Sequence, residues 1–222
     1  MKRLEIEALY IEKASIAYSY ISEYRYPWEV LAHIEEIIRK IGEELSEAKF
    51  ERAGEDIWIA KTAKIAKSAS ISGPCIIDDG AEVRHCAFIR GNALVGKGAV
   101  VGNSTELKNC VLFDGVQVPH YNYVGDSILG YKSHMGAGSI TSNVKSDKTK
   151  VSIKCKNFTV DTGLKKCGAF LGEFVEIGCG SVLNPGTVVG RCSSVYPLSS
   201  VRGVIPEKSI YKSSGAITDK KI

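Results

Sequence analysis

The sequence has no run of about 18 apolar residues, the length a transmembrane helix needs. The opening stretch, residues 1–7, also lacks the apolar run of a signal peptide, so we expect a cytoplasmic protein with no membrane partner. Lys and Arg are dispersed and the formal net charge is only +4. Without the basic stripe that nucleic-acid binders carry, nucleic acid is not an expected partner.

Paired cysteine motifs are absent as well. The chain has 7 cysteines, and none of them forms a Cys-x-x-Cys pair. An odd number leaves at least one thiol without a partner in the chain, so we favour reduced thiols over disulfides or metal ligands. A chain of 222 residues that is 44% hydrophobic suits one long domain, or one domain with a small appendage.

The strongest pattern present is an aliphatic residue at every sixth position: Ile59, Ile65, Ile71, Ile77, Val83, Ile89, Val95, Val101 and Leu107. Two positions before each stands a mostly small residue: Ile57, Ala63, Ala69, Cys75, Ala81, Ala87, Ala93, Ala99 and Thr105. A period of six fits neither a helix nor a single strand. It predicts a mainly β fold, a parallel β-helix whose coils hold three six-residue rungs and stack residues 18 apart. Small residues suit its tight corners, because larger ones would overfill the core.

The chain divides into three parts on this pattern. Residues 1–56 form an N-terminal helical region or linker, in which the first 26 residues do not predict one type of secondary structure. From Pro27, apolar residues at helical spacing predict an amphipathic helix that ends near Ser46 and caps the first coil or contacts another subunit. Residues 57–205 form the β-helix, and residues 206–222 form a C-terminal tail.

The repeat slips after Leu107. Continuing it requires two five-residue steps, from 107 to 112 and from 124 to 129. Because a slip redirects every later side chain, we expect functional residues at these steps. The polar segment 142–150 predicts a loop extruded from the coil, and the repeat returns by Leu171.

Arg90 and Lys108 are 18 residues apart at equivalent repeat positions, so they should stack about 4.8 Å apart. Two cations that close repel each other unless an anion lies between them, and phosphate is a natural ligand for such a pair. Two alternatives stay open: the side chains extend into solvent, or they pair with Glu106 or Asp126.

His120 lies in the slipped region, where a histidine can accept a proton from a nucleophile and so suits a general base. The alternative is an ordinary surface histidine. The Gly136–Gly138 block contains backbone N–H groups that suit an oxyanion, or two glycines that serve only a tight corner.

A zinc site is not expected. His85 and His120 share a face but lie two coils apart, on the order of 10 Å, too far to share a tetrahedral zinc within one subunit. The histidine that a zinc-binding His-x-x-x-x-His pair would place at position 125 is a glycine here.

Three blocks, residues 103–108, 120–126 and 135–143, resemble in order and spacing the C-terminal acetyltransferase domain of bifunctional N-acetylglucosamine-1-phosphate uridylyltransferase/glucosamine-1-phosphate acetyltransferases. The resemblance covers roughly residues 57–160. It implies a left-handed β-helix, a homotrimer with active sites between subunits, and acetyl-CoA as co-substrate. The handedness comes from the resemblance alone, because parallel crossovers are generally right-handed.

Matched position by position, the resemblance implies a general base at His120 and sugar-phosphate ligands at Arg90 and Lys108. It implies sugar contacts at Tyr123 and Asn143, a further lysine of the substrate site at Lys148, and a backbone near the acetyl group at Ala137.

The chain departs from that family at three positions. His134 replaces an asparagine, so recognition of the amine is expected to differ. Glu173 stands where the family has a serine that contacts acetyl-CoA, and Arg191 replaces a small residue. Both changes are expected to crowd or recharge the coenzyme groove.

Two functions follow as expectations. The first is an acyl-CoA-dependent N-acetyltransferase acting on an amino-sugar phosphate such as glucosamine 1-phosphate. The alternative is a non-catalytic sugar-phosphate or nucleotide-sugar binding module that has lost the CoA site. Uridylyltransferase activity is not expected, because residues 1–56 hold no glycine-rich phosphate loop and are too few for a doubly wound sheet.

Overall fold

Three rungs of the repeat close into each triangular coil of the computed structural model, which describes residues 1–221. Residues 18 apart pair in parallel register, as Ile59 does with Ile77 and Ile77 with Val95. The predicted parallel β-helix is confirmed. From Ile77 onward its interior holds the repeat's aliphatic residues, and the alanines two positions earlier, Ala81, Ala87, Ala93 and Ala99, are buried at the corners. The corresponding residues of the first coil, Ala63, Ile65, Ala69 and Ile71, are only partly buried.

The strands in chain order are β1 (Phe50–Gly54), β2 (Ile57–Ala60), β3 (Lys64–Ile65), β4 (Ser70–Ile71), β5 (Cys75–Ile77), β6 (Glu82–Val83), β7 (Phe88–Ile89), β8 (Ala93–Val95), β9 (Val100–Asn103), β10 (Glu106–Leu112), β11 (Gln117–His120), β12 (Tyr123–Leu129), β13 (His134–Met135), β14 (Ile140–Thr141), β15 (Ser152–Lys154), β16 (Thr159–Asp161), β17 (Ala169–Leu171), β18 (Glu176–Ile177), β19 (Val182–Leu183), β20 (Thr187–Val189), β21 (Ser194–Val195), β22 (Ser200–Val201), β23 (Val204–Ile205), β24 (Ser209–Tyr211) and β25 (Ile217–Asp219).

These strands form a prism with three faces. The first face holds β4, β7, the starts of β10 and β12, then β14, β19 and β22. The second holds β3, β6, β9, β11, β13, β18, β21 and β24. The third holds β2, β5, β8, the ends of β10 and β12, then β17, β20 and β23. Because β10 and β12 bend around a corner, they join the first and third faces into one sheet.

Both five-residue steps occur where β10 and β12 bend. Leu107 pairs with Val124, a spacing of 17 residues instead of 18, so this coil is one residue shorter. The shortened corners fall at Asn109 and Asp126, whose backbones are left-handed with φ of 50° and 49°. Asparagine and aspartate tolerate that conformation better than other side-chain-bearing residues do.

The N-terminal region contains a 3₁₀ turn (Lys2–Leu4) and four helices, α1 (Ile6–Leu9), α2 (Tyr18–Ile21), α3 (Pro27–Val30) and α4 (Ile34–Glu44). Its helix α4 packs along the third face against β5, β8 and β10. The ring of Tyr10 lies 4.8 Å from that of Phe113, and Trp28 meets Phe170 edge-on at 6.0 Å. Residues 1–221 include no helix long and apolar enough to cross a membrane.

The prediction of a single helix from Pro27 to near Ser46 is wrong in one respect. The helix begins at Pro27, but a turn at residues 31–33 divides it into α3 and α4. The Asn109 side-chain amide donates a hydrogen bond to the Leu31 carbonyl at 3.2 Å, a contact from the solenoid that sequence spacing does not reveal.

Two other segments differ from their predicted bounds. The excursion from the coil runs from β14 to β17, well beyond 142–150, and carries the antiparallel β15–β16 hairpin. Val151 and Ile153 anchor it by packing beside Gly186. The solenoid also continues past residue 205, because β24 pairs with both β21 and β25.

Candidate functional site

All three edges of the prism contain corner residues with positive φ, and two of these edges carry the residues considered next. The His120 edge, where the second face turns into the first, consists of the corners at Cys86, Ser104, Tyr121, Gly138, Gly180 and Leu198. The Glu173 edge, where the third face turns into the second, consists of the corners at Gly80, Gly98, Gly115, Lys132, Phe174, Cys192 and Lys208. At most of these corners the N–H donates to a carbonyl of the neighbouring coil, which keeps the corners stacked.

His120 is the last residue of β11, and it lies exposed on the His120 edge. Its N–H donates to Asn122 Oδ1 at 3.1 Å, and its carbonyl accepts from the Gly138 N–H at 3.0 Å. The buried Asn122 amide is fixed in turn by the carbonyls of Gly136 and Ser139. The backbone of His120 is therefore held firmly, whereas its imidazole has no hydrogen-bond partner within residues 1–221 and can exchange a proton with a ligand.

Ala137 lies one coil further along the same edge, about 4.8 Å from the His120 corner. In its block, the Gly136 N–H donates to the Ile177 carbonyl and the Gly138 N–H to that of His120. Two of the three N–H groups considered for an oxyanion thus hold neighbouring coils together. Ala137 is exposed and offers the remaining one.

A buried carboxylate organises the first face beyond this edge. Asp126 is 4% exposed. Its two oxygens each accept from Lys108 Nζ at 3.1 Å, and Asn109 Nδ2 donates to Oδ1 at 2.9 Å. Asn143 Nδ2 donates to Oδ2. The structure thereby joins Lys108 and Asn143, two predicted substrate-binding residues that are far apart in sequence.

Tyr123 completes this cluster. Its ring lies along β12 over Gly125, and its hydroxyl accepts from Asn143 Nδ2 at 3.1 Å. Burial raises the pKa of the Tyr123 phenol above its ordinary value, although the hydrogen bond from Asn143 opposes that shift. The phenol therefore stays neutral at physiological pH and retains a proton to donate to an oxygen of a ligand.

Arg90 lies beside Lys108, because Ile89 and Leu107 pair in register. Arg90 Nη1 contacts Glu106 Oε1 at 2.7 Å, just as Lys108 contacts Asp126. The predicted stacking is present together with the ion pairing that the sequence left open. A phosphate bound here would share both cations with carboxylates already in place.

His134 and Lys148 are not brought into this cluster. His134 lies on the second face, with Nδ1 2.8 Å from Glu176 Oε2 and Gln117 as its neighbour in register. Lys148 is exposed in a turn of the excursion, and its N–H donates to the Lys145 carbonyl.

Glu173 and Ala137 lie on different edges of the prism. Within one chain they therefore do not border one groove, whereas the sequence predicted both beside the coenzyme. It is 1% exposed, and its carboxylate accepts from the Glu12 N–H at 2.6 Å. Burial raises the pKa of the Glu173 carboxyl, against the backbone N–H bonds from Glu12 and Ile11. Arg191 lies beside it and donates to the Ala8 carbonyl at 3.0 Å. Both departures from the family therefore bind the N-terminal segment.

Sequence reasoning did not predict three residues as part of the site, although it named Asp126 as a possible partner of Lys108. Asn109 and Asp126 form the shortened corners, and the five-residue steps were the signal that pointed to them. Cys179 is exposed on the His120 edge directly after Ala137, because the Gly180 N–H donates to the Ala137 carbonyl at 2.8 Å. The excursion separates them by 42 residues, which hides the usual spacing.

Residues 1–221 contain no group of three His, Cys, Asp or Glu side chains placed to hold a metal.

A family model described as the GMPPB C-terminal domain matches residues 71–217. A similar curated protein, "Bifunctional protein GlmU" of Methanococcus maripaludis, is 32% identical over 221 residues, which cover 91% of this chain and 50% of that protein. A "Bifunctional sugar-1-phosphate nucleotidylyltransferase/acetyltransferase" of Sulfurisphaera tokodaii is 31% identical over 159 residues, 64% of this chain and 40% of that protein. The chain thus spans about half or less of the length of these relatives.

Among solved structures, a mutant GDP-perosamine N-acetyl transferase from Caulobacter crescentus, in complex with CoA and GDP-perosamine, is 16% identical with a TM-score of 0.35. The match covers 73% of this chain and 56% of that one.

Proposed function

Because the chain belongs to the GMPPB C-terminal domain family, and its curated relatives include bifunctional nucleotidylyltransferase/acetyltransferases, we propose that it is an acyl-CoA-dependent N-acetyltransferase. The proposed acceptor is an amino-sugar phosphate such as glucosamine 1-phosphate. The observation that carries the proposal is the position of His120. Its imidazole has no partner among the described residues, at the edge where the face of the Tyr123 cluster begins.

In the proposed reaction, His120 takes a proton from the sugar amine as the amine nitrogen attacks the thioester carbonyl of acetyl-CoA. The new C–N bond forms as the carbonyl becomes tetrahedral, and the C–S bond then breaks. The leaving CoA thiolate takes a proton from the imidazolium, which restores the neutral base. The Ala137 N–H, one coil from His120, is proposed to donate to the developing oxyanion.

The phosphate is proposed to bind Arg90 and Lys108, with the Tyr123 hydroxyl as a neutral donor. His120 and Tyr123 are three residues apart, so at most about 11 Å separates their α-carbons. One sugar phosphate can therefore contact the base and the cluster together. Asn143 donates a hydrogen bond to the Tyr123 hydroxyl and so fixes its position.

A homotrimer with sites between subunits is part of the proposal. The His120 edge exposes large apolar side chains, with Tyr121 64% and Leu198 81% exposed. Such a strip beside a candidate site suits contact with a second subunit. His134 and Lys148, which lie away from the cluster in one chain, are then proposed to act from a neighbouring subunit.

The non-catalytic alternative loses the observations that motivated it. Glu173 and Arg191 were expected to obstruct the coenzyme groove, but both are engaged by the N-terminal segment on another edge. Ala137 and Cys179, on the His120 edge, are exposed, so this edge is the proposed path of the pantetheine arm.

The test is acetyl transfer from acetyl-CoA to glucosamine 1-phosphate, followed by release of CoA thiol. His120→Ala is expected to lower kcat by roughly 100-fold or more, in the range for a general base. His33→Ala, a change at the partly exposed N-cap of α4, is the matched control and should retain full activity. Full activity in His120→Ala, or no transfer from any acyl-CoA to any amino-sugar phosphate, would contradict the proposal.

Uridylyltransferase activity is not part of the proposed function. The described residues 1–49 form short helices packed on the solenoid and no doubly wound sheet. Incubation of this chain with UTP and N-acetylglucosamine 1-phosphate is expected to release no pyrophosphate.

A further inference from the structure

We propose that Asp126 is a positioning residue that holds Lys108 and Asn143 in place for the substrate phosphate. This inference rests on the proposed function and adds a residue to its site. Asp126 is buried, and its carboxylate connects an ammonium group from β10 to an amide group after β14.

The carboxylate of Asp126 has no capacity left for a ligand. An ionised carboxylate offers about four acceptor positions. Lys108 contacts both oxygens, Asn109 takes a second position on Oδ1, and Asn143 takes a second position on Oδ2. Asp126 therefore acts through its neighbours and does not bind substrate itself.

Lys108 keeps donors for a ligand despite this contact, whereas both N–H groups of the Asn143 amide are engaged, one by Asp126 and one by Tyr123. The Lys108 side chain is 25% exposed, against 5% for that of Asp126. Its ammonium has three N–H donors, so some remain for a phosphate on the exposed side. Asn143 also donates to the Tyr123 hydroxyl. The Asp126 carboxylate thus fixes the Lys108 ammonium directly and the Tyr123 phenol through the Asn143 amide.

The corner itself explains the backbone of residue 126 but not its charge. The preceding coils place Asn92 and Asn109 at this edge with φ of 50° and 50°, against 49° for Asp126. Asparagine is thus accepted by the fold at the same corner. Replacement of Asp126 by asparagine preserves the backbone and removes only the negative charge and one acceptor oxygen.

In Asp126→Asn the new amide has a single acceptor oxygen for the three donor groups of Lys108, Asn109 and Asn143. Its own N–H₂ group then faces donors instead of acceptors. Lys108 loses its counterion and its fixed position. We expect the Kd and KM for glucosamine 1-phosphate to rise about 10-fold or more, with kcat at saturating substrate within about threefold of wild type. The variant should still fold, since the corner accepts asparagine, but its melting temperature should fall because buried donors lose an acceptor and Lys108 loses its counterion.

The experiment is calorimetric titration of glucosamine 1-phosphate into the full-length wild type, Asp126→Asn, Lys108→Met and the double variant, with acetyl-transfer kinetics on each. If Asp126 acts mainly through Lys108, its substitution should change the Kd no more than about threefold in the Lys108→Met background, because coupled residues are not additive. Asp161→Asn, which removes an exposed carboxylate from the hairpin, is the control and should bind as wild type.

Wild-type affinity in Asp126→Asn overturns the inference and leaves the proposed function intact. Full additivity with Lys108→Met also overturns it. If the wild type itself binds no glucosamine 1-phosphate, the proposed function and this inference both fail.

Discussion

The phenol ring of Tyr123 lies over Gly125, two residues later in the same strand. A Cβ on Gly125 would come 2.7 Å from Tyr123 Cζ and 2.9 Å from Cε1. Because residues two apart in a strand project to the same side, only glycine lets the ring lie flat along β12. That orientation brings the hydroxyl to Asn143, so a missing side chain determines where a predicted ligand-binding group is placed.

Gly125→Ala is therefore expected to weaken sugar-phosphate binding without unfolding the chain. The tyrosine ring can swing outward to accommodate the methyl group, since residue 123 is only partly buried. We expect the KM for glucosamine 1-phosphate to rise about 10-fold, with the melting temperature within a few degrees of wild type. In a Tyr123→Ala background the same change should have no further effect on KM. A similar loss in that background would show that Gly125 acts independently of the ring.

Glu173→Ser, which restores the residue expected from the family, is predicted to loosen the N-terminal segment and not to improve coenzyme binding. The carboxylate accepts backbone N–H groups from Ile11 and Glu12, and serine cannot replace both contacts. We expect faster tryptic cleavage after Lys13 and a KM for acetyl-CoA within about twofold of wild type. Glu51→Ser, on exposed β1, is the control for cleavage rate. A large decrease in the acetyl-CoA KM would contradict this prediction and show that Glu173 borders the coenzyme groove.

The fold was predictable because its period is carried by the core. Each aliphatic residue from Ile77 to Leu107 is buried by stacking on residues one coil away, so sequence spacing alone reports the coil. The slips were equally readable, and Asn109 and Asp126 lie where the five-residue steps predict a change.

The packing of the N-terminal region on the solenoid and the edge on which Glu173 lies could not be predicted from the repeat spacing. Tyr10 reaches the Ile128 carbonyl across 118 residues, a contact without any periodic signature. The excursion between β14 and β17 removes the spacing that would assign Glu173 and Cys179 to their separate edges. Residue matching across an excursion of unknown length therefore does not determine on which edge such a residue lies.

Asp78→Asn is expected to stabilise the protein at neutral pH. Burial raises the pKa of the Asp78 carboxyl above its ordinary value, although the Asp79 N–H bond opposes the shift. The folded chain then binds this proton more tightly than the unfolded chain. The stability it contributes is complete below the ordinary pKa of about 3.9 and is lost as the pH rises through the raised pKa. The variant should melt roughly 2–4 °C higher at pH 7.5 and gain nothing at pH 3.5.

Asp79→Asn provides the opposite control for that measurement. Hydrogen bonds from Thr62 and Lys97 lower the pKa of the half-exposed Asp79 carboxyl. Its contribution is therefore present above the ordinary pKa and lost as the pH falls, so this variant should melt lower at pH 7.5. A lower melting temperature for Asp78→Asn at pH 7.5 would contradict the sign derived from burial.

Alkylation of cysteine provides a test of the coenzyme path along the His120 edge. Cys179 lies one coil beyond Ala137, whereas Cys86 lies three coils before it, about 14 Å away on the same edge. Both thiols are exposed and should react with N-ethylmaleimide. Saturating acetyl-CoA is expected to slow modification of Cys179 at least about 10-fold and to leave Cys86 unchanged, as read by mass spectrometry of the labelled peptides.

The two thiols distinguish the direction of the coenzyme as well as its presence. Protection of Cys86 instead of Cys179 would mean that the pantetheine arm runs toward the first coils. Cys192 on the Glu173 edge is partly exposed and serves as a third reporter. If acetyl-CoA protected Cys192 and neither of the others, the groove would lie beside Glu173, and the assignment of the coenzyme to the His120 edge would be wrong.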